Sequence, residues 1–242
     1  MKRITLETVD STNNYIKEQP APEGQEWLVV TTEFQTSGRG SASNSWESEK
    51  GRNLLFSIRF RPEGIRANQM FVLSQMMALA VCRTLLSYDK GFCIKWPNDI
   101  YHRNRKIVGM LIENDLMGAY VSNCVIGVGL NVNQTLLTSN APNPVSLAQI
   151  IGKEVQKEEL LSRIIQECES LYRLVQEKAF AQIKEMYMGL LYRKGTLHTY
   201  RDAGGLFQGI ITDVEPSGHL VVHDQDGNIR RYDFKEIEYI LS

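Results

Sequence analysis

Four short segments of the 242-residue sequence concentrate residue types that handle anions. The first, TSGRGSASNSWESEKGRN (36–53), joins two strand-like stretches, WLVVTTE (27–33) and LLFSIRF (54–60). A hairpin needs only about two to five connecting residues. This connection is far longer and carries Gly38, Gly40 and Gly51, the cations Arg39, Lys50 and Arg52, and Trp46. The second, KWPND (95–99), ends a strand in Pro97, Asn98 and Asp99. The third, RKIVGMLIE (105–113), sets Arg105 and Lys106 at the mouth of an apolar strand. The fourth, VIGVGLNVN (125–133), places Gly127 and Gly129 inside a strand pattern. Each has an ordinary explanation alone: Pro, Asn and Asp make turns, a Lys outside a strand guards an edge, and a strand glycine marks a bulge or a close approach. Together they match what ATP-driven activation of a carboxylate requires. That chemistry needs cations at the α-phosphate, donors for the leaving pyrophosphate, and a site dry enough to protect an acyl-adenylate. Arg39 and Lys106 can supply charge, the glycine-rich loop can supply backbone N–H groups, and Trp46 can act as a lid. No GK[ST] follows the glycines, so the loop is not a Walker motif.

These segments must be held by a scaffold. Strand-like runs at 92–96, 106–113 and 120–131 are followed by helical patterns at 158–176 and 180–191, with an earlier apolar helix at 69–89. A short helix follows Asp10-Ser11-Thr12. Without regular βαβ alternation, this order predicts an α+β fold. Beyond residue 192 the character changes to short strands separated by Asp-Ala-Gly-Gly, Pro-Ser-Gly and Asp-Gln-Asp-Gly-Asn turns, as in a small barrel. The predicted boundary gives domains 1–192 and 193–242. Hydrophobic residues make up 43% and the net charge is −1, so there is no basic surface for nucleic acid. No run reaches the ~20 apolar residues of a membrane span. The polar N-terminus lacks the apolar core of a signal peptide. Cys82, Cys93, Cys124 and Cys168 are scattered, which points to neither a zinc cage nor a disulfide framework. The expectation is a cytoplasmic protein without nucleic-acid or membrane partners.

Along its whole length the sequence resembles the biotin–protein ligases, or biotin–[acetyl-CoA-carboxylase] ligases. The resemblance rests on DSTN (10–13), QTSGRG (35–40) with Trp46, KWPND, Arg105-Lys106 with Gly109, and GVGLNVN (127–133). It implies a mixed-sheet catalytic domain with helices packed on it, closed by an SH3-like barrel. It also implies an enzyme that uses biotin, ATP and Mg2+ to make biotinyl-5′-adenylate and then biotinylates a lysine of a biotin carboxyl carrier domain. By resemblance, Ser11, Thr12, Asn13, Gln35, Arg39, Gly40, Ser41 and Lys106 contact biotin. Gly38, Arg39, Gly40, Trp46, Asn98 and Asn131 hold the adenylate, with Asp99 a further candidate. Lys106 and Arg39 stabilise the reacting phosphate, and no side chain is assigned to the metal. The family contains monomers and homodimers, and an exposed sheet edge suits the latter.

Two features depart from the family pattern. Many relatives carry an arginine directly after GRG, where this chain has Ser41; the expectation is a looser hold on the adenylate, unless Lys50 or Arg52 supplies the charge. DSTN begins at Asp10, which predicts a monofunctional ligase without the helix-turn-helix domain of bifunctional relatives. The alternatives are a lipoate–protein ligase, related in fold but lacking the GRG–KWPND combination, and a non-catalytic biotin-binding module, which would have no use for Lys106.

Overall fold

The computed structural model describes residues 1–20, 24, 26–40, 44–137 and 143–240. Ser41, and with it the expected weak point of the loop, lies outside the described residues. The main sheet has seven strands: β1 (Lys2–Val9), β2 (Leu28–Gln35), β3 (Leu54–Phe60), β4 (Phe92–Lys95), β5 (Asp99–His102), β6 (Arg105–Met117) and β7 (Tyr120–Leu130). Their order is β1-β2-β3-β7-β6-β5-β4. β1 runs parallel to β2, and all other neighbours are antiparallel. The sheet is therefore mixed and the fold α+β, as predicted.

Strand alternation sorts the two faces. Phe56, Ile58, Phe60, Ile126, Val128 and Leu130 point into the large core beneath α2 (Phe71–Leu85), α4 (Lys157–Gln176) and α5 (Phe180–Gly189). The short helix α3 (Leu147–Ile151) precedes α4 and starts with a Ser146–Gln149 capping box. Helix α2 is apolar almost all round because it lies between the sheet and α4 and α5. The opposite face carries α1 (Thr12–Glu18), seated by Ile16 on Leu28, Val30 and Val125. One face of the sheet thus makes the core, and the other stays open beside α1.

The tail forms a five-stranded antiparallel sheet, β8 (Leu197–Asp202), β9 (Gly205–Val214), β10 (Leu220–Asp224), β11 (Ile229–Tyr232) and β12 (Glu238–Tyr239), in the order β11-β10-β9-β8-β12. Two contacts join it to β4 and the turn that follows, beside the backbone bonds of 2.8 Å that Ile94 exchanges with Leu190 and Tyr192 in the segment leading to it. The Lys95 ammonium lies 4.5 Å from the centre of the Tyr239 ring, and burial holds its pKa below the usual lysine value. Buried Trp96 donates from Nε1 to the Gly218 carbonyl at 2.8 Å and packs edge-on against Phe234.

Sequence patterning missed β1, β5 and α3. β1 is an edge strand with only Ile4 and Leu6 turned toward α1. β5 starts within the KWPND turn, where Pro and Asn mask the strand. The other elements match to within a few residues at their ends, apart from the fraying of the 69–89 helix into a 3-10 turn at Ala67–Gln69.

Replacing Trp96 with Phe leaves the Gly218 carbonyl buried without its donor, a cost of roughly 1–3 kcal/mol. Thermal unfolding should show a midpoint several degrees below the parent. An unchanged midpoint would mean that Trp96 does not tie the two sheets together.

Candidate active site: a cleft over three glycines

The open face holds a cleft beside α1, lined by α1, the 36–53 loop, the KWPND turn, β6 and β7. Its free volume is only about 70 Å³, because Trp46 fills much of it. The floor is built from missing side chains. Gly109 on β6 and Gly129 on β7 are register partners, and the Trp46 indole lies across both. A Cβ on Gly129 would come within 2.4 Å of the ring, and one on Gly109 within 2.9 Å. Two residues along β7, a Cβ on Gly127 would sit 2.2 Å from Asn13 Oδ1. The strand glycines are there for close approach, and it is the protein's own Trp46 and Asn13 that approach.

Helix α1 brings the DSTN segment to the edge of the cleft. Ser11 is the N-cap residue, yet its side chain makes no capping bond, so the hydroxyl is not spent on the helix end. Gln35 Oε1 accepts from the Thr12 backbone N–H at 2.8 Å and the Thr12 hydroxyl at 3.0 Å. Ser57 Oγ donates to Asn13 Oδ1 at 2.6 Å and lies 2.8 Å from Thr12 Oγ1. Asn13 Nδ2 donates to Glu113 at 2.8 Å and to the Leu111 carbonyl at 3.3 Å. Thr12, Asn13 and Ser57 are buried, so this network fixes the direction of each polar group.

Lys106 reaches the same cleft through an irregular register. Ile100 pairs with Val108 but Tyr101 pairs with Lys106, so Ile107 is the extra residue of a bulge. A bulge re-aims the neighbouring side chain, and Lys106 thereby joins Gly109 in the cleft lining. Its ammonium lies 2.7 Å from Asp99, with side-chain exposures of only 19% and 13%. Asn98 is locked across to β6: its backbone carbonyl accepts from Met110 N–H at 2.9 Å and its amide donates to the Met110 carbonyl. The loop folds over this arrangement as a small hairpin, with Gly40 N–H donating to Asn44 and Trp46 N–H to Gly38.

Of the residues singled out in the sequence, Ser11, Thr12, Asn13, Gln35, Arg39, Gly40, Trp46, Asn98, Asp99 and Lys106 line one cleft. Gly38 does not line it; a Cβ there would sit 2.3 Å from the Trp46 carbonyl oxygen, so Gly38 serves the loop's own turn. Asn131 does not line it either. It is buried and donates to the Val145 carbonyl at 3.3 Å, tying the chain after β7 to the start of α3. Lys50 and Arg52 point elsewhere, to Glu7 at 2.7 Å and Glu154 at 2.8 Å. Sequence reading missed Glu113, whose carboxylate bonds Arg39 at 3.1 Å and Lys17 at 2.7 Å. Burial pushes its pKa up, but the bonds from Lys17 and Asn13 and the charges of Lys17 and Arg39 outweigh this and hold it below the usual glutamate value. The available signal was strand alternation, which puts residues 109, 111 and 113 on one face.

The buried indole Nε1 of Trp46 has no hydrogen-bond partner among the described residues, a donor that an entering ligand can satisfy. Gly129→Ala should unseat the ring. The Trp46 contribution to fluorescence, taken as the difference from a Trp46→Phe reference in each background, should shift to the red. An unshifted contribution would contradict the close seat.

Residues 5–131, just over half of the chain, match the Biotin/lipoate A/B protein ligase family. The chain is 28% identical over 228 residues to the bifunctional ligase/repressor BirA of Bacillus spizizenii, covering 92% of this chain and 68% of that protein. It is 25% identical over 229 residues to the biotin–[acetyl-CoA-carboxylase] ligase of Paracoccus denitrificans, covering 92% and 94%. In three dimensions it superposes on the biotin protein ligase of Aquifex aeolicus in complex with biotin and ATP, with a TM-score of 0.82, 25% identity, and coverage of 100% and 99%. With its GRG loop, its KWPND turn and its glycine-floored cleft, the chain belongs to the Biotin/lipoate A/B protein ligase family.

Proposed function

We propose that this chain is an ATP-dependent biotin–protein ligase acting on the carrier domain of a biotin-dependent carboxylase such as acetyl-CoA carboxylase. The observation that carries the reading is the delivery of Lys106, beside Asp99, into a cleft shared with Arg39 and the Ser11–Asn13 network. Biotin is favoured over lipoate because the Paracoccus denitrificans relative and the superposed structure described above are biotin ligases. The cleft suits these substrates: the cations Arg39 and Lys106 line it together with the polar Ser11, Thr12, Asn13 and Gln35, over a glycine floor on which Trp46 lies.

In the first step an oxygen of the biotin carboxylate attacks the α-phosphorus of ATP. The bond to the pyrophosphate oxygen breaks, giving biotinyl-5′-adenylate. Lys106 and Arg39 oppose the charge that grows on the phosphoryl oxygens, and Asp99 holds the Lys106 ammonium in place. Mg2+ bound to the triphosphate would supply the charge that neutralises the leaving pyrophosphate. In the second step the ε-amine of a carrier lysine attacks the acyl carbon, the C–O bond to AMP breaks, and the amide forms with loss of the amine proton. No side chain need become covalently attached, so positioning and electrostatics provide the catalysis. Trp46 must lift from Gly109 and Gly129 for a ligand to lie there, and can then cover the reactive anhydride and exclude water.

Residues 1–192 form the catalytic domain in this reading, and 193–242 an SH3-like barrel docked on β4. The reaction takes place in the cytoplasm. No helix among the described residues is long and apolar enough to cross a membrane.

Mixing the protein with biotin, Mg-ATP and a carrier domain should add the mass of one biotin to the carrier. Octanoate or lipoate in place of biotin should leave it unmodified; modification by lipoate alone would move the chain to the lipoate branch. Lys106→Ala should slow biotin-dependent pyrophosphate release in a single turnover by at least about a hundredfold, the effect of removing roughly 3 kcal/mol of transition-state stabilisation. A change below about threefold would remove Lys106 from the reaction. Ser41→Arg should slow escape of preformed labelled adenylate by about tenfold, since a charge-assisted contact is worth roughly 1.5–3 kcal/mol. An unchanged off-rate would show that the serine is no handicap.

A further inference from the structure

Helix α1 brings Ser11, Thr12 and Asn13 to the cleft at its first turn, yet it is only seven residues long. A helix of that length does not hold itself together in water. Its last carbonyl groups have no partner within the helix, and at Gln19 the backbone is already extended. Strand β3 holds both ends. At the start, Ser57 Oγ bonds Asn13 Oδ1 and lies against Thr12 Oγ1. Arg59 is two residues further along β3 and so on the same face of the strand. Its Nη1 donates to the carbonyl oxygens of Gln19 at 2.9 Å, Ile16 at 3.2 Å and Lys17 at 3.4 Å. The Nε of the same guanidinium donates to Asn123 Oδ1 at 2.9 Å, and Asn123 Nδ2 donates to Asp115 at 2.9 Å. Asn123 is buried and Arg59 half-buried.

We propose that Arg59 is a positioning residue that caps the C-terminal end of α1 from β3 and thereby fixes Ser11, Thr12 and Asn13 at the edge of the cleft. A cation at a helix C-terminus opposes the partial negative charge of the free carbonyl groups. A guanidinium adds a rigid fork of donors, and here the bond to Asn123 sets the direction of that fork. The apolar seat of Ile16 on Leu28, Val30 and Val125 is non-directional. It presses the helix onto the sheet, while the polar bonds at the two ends set its position along its own axis. Without Arg59 the carbonyl groups of residues 16, 17 and 19 turn to water and the last turn frays. In a helix of two turns that fraying reaches the residues at the cleft. The Lys106–Asp99 pair stands on β6 and β5 and touches neither Arg59 nor α1. Loss of the cap should therefore weaken substrate binding more than it slows the chemical step.

The consequence for biotin rests on the ligase reading, whereas the cap itself can be tested without ligand. Hydrogen–deuterium exchange on the full chain reads the α1 amides directly. Arg59→Met keeps the apolar stem and removes the donors. It should speed exchange at 15–19 by roughly tenfold, the loss expected for a charge-assisted contact, and leave α2 at the parent rate. Arg59→Gln, too short and uncharged to cap the helix, should do the same, and it carries the test if Arg59→Met fails to fold. Arg59→Lys restores a donating cation and should bring exchange back to within about threefold of the parent. With biotin and ATP, Arg59→Met should raise the biotin KM by about tenfold and lower kcat by less. Parent-rate exchange at 15–19 in both the Met and Gln variants overturns the proposal, as does failure of the lysine to slow it again. So does acceleration shared equally by α1 and α2, which would make Arg59 a support of the whole fold. In a chain that turns over biotin, a fall in kcat at unchanged KM overturns it as well. A chain that does not turn over biotin but shows the exchange pattern keeps the cap and loses only the ligase reading.

Discussion

The close approach of two side chains to a bare patch of sheet is the constraint on which the site depends. Gly109, Gly127 and Gly129 leave no room for any Cβ between the strands and the groups lying on them. The Trp46 indole and the Asn13 amide can settle onto the backbone only because those positions are empty. The same emptiness makes a flat bed for a ligand once Trp46 lifts or tilts. Glycine weakens a strand by entropy and lost packing. Here the cost falls on central strands whose opposite face is among the best packed in the molecule, with Ile126, Val128 and Leu130 buried in the main core. The fold can carry a thin floor because the layer beneath it is rigid.

Around that floor the charges are arranged in pairs. Lys106 faces Asp99, and Arg39 and Lys17 share Glu113. Burying a lone cation is expensive, while a paired one can be kept in a low-dielectric cleft and redirected to an incoming anion. The two pairs sit on opposite walls, one at the start of β6 and the other near its far end. A single strand, bent by the bulge at Ile107, thus spans the site from the KWPND turn to α1. The KWPND turn is also anchored from below, where Trp96 and Lys95 meet Gly218, Phe234 and Tyr239 of the tail. The second sheet in this way bears on the KWPND turn without lining the cleft.

Much of this was legible in the sequence. The long cationic loop, the Pro-Asn-Asp turn and the paired strand glycines point to an anion-handling cleft before any fold is known, and nearly all of the named residues converge. What escaped has physical reasons. β1 has too little apolar alternation to stand out, because an edge strand buries only part of one face. Asn131 sits in the right motif, but its side chain satisfies a buried carbonyl, and hydrogen-bond accounting of that kind is invisible without coordinates. Glu113 looks like an ordinary acid at the end of a strand; only tertiary contact shows that it gathers groups from residues 13, 17 and 39.

The claim that this cleft activates a carboxylate at the α-phosphorus can be tested by following one atom. Biotin labelled with oxygen-18 in its carboxylate, turned over with Mg-ATP and a carrier domain, should leave one labelled oxygen in the released AMP. The bond made in the first step joins that oxygen to phosphorus, and the second step breaks its bond to carbon. Label found in inorganic phosphate, or absent from AMP while the carrier is modified, would contradict the adenylate route and with it the role assigned to Lys106 and Arg39.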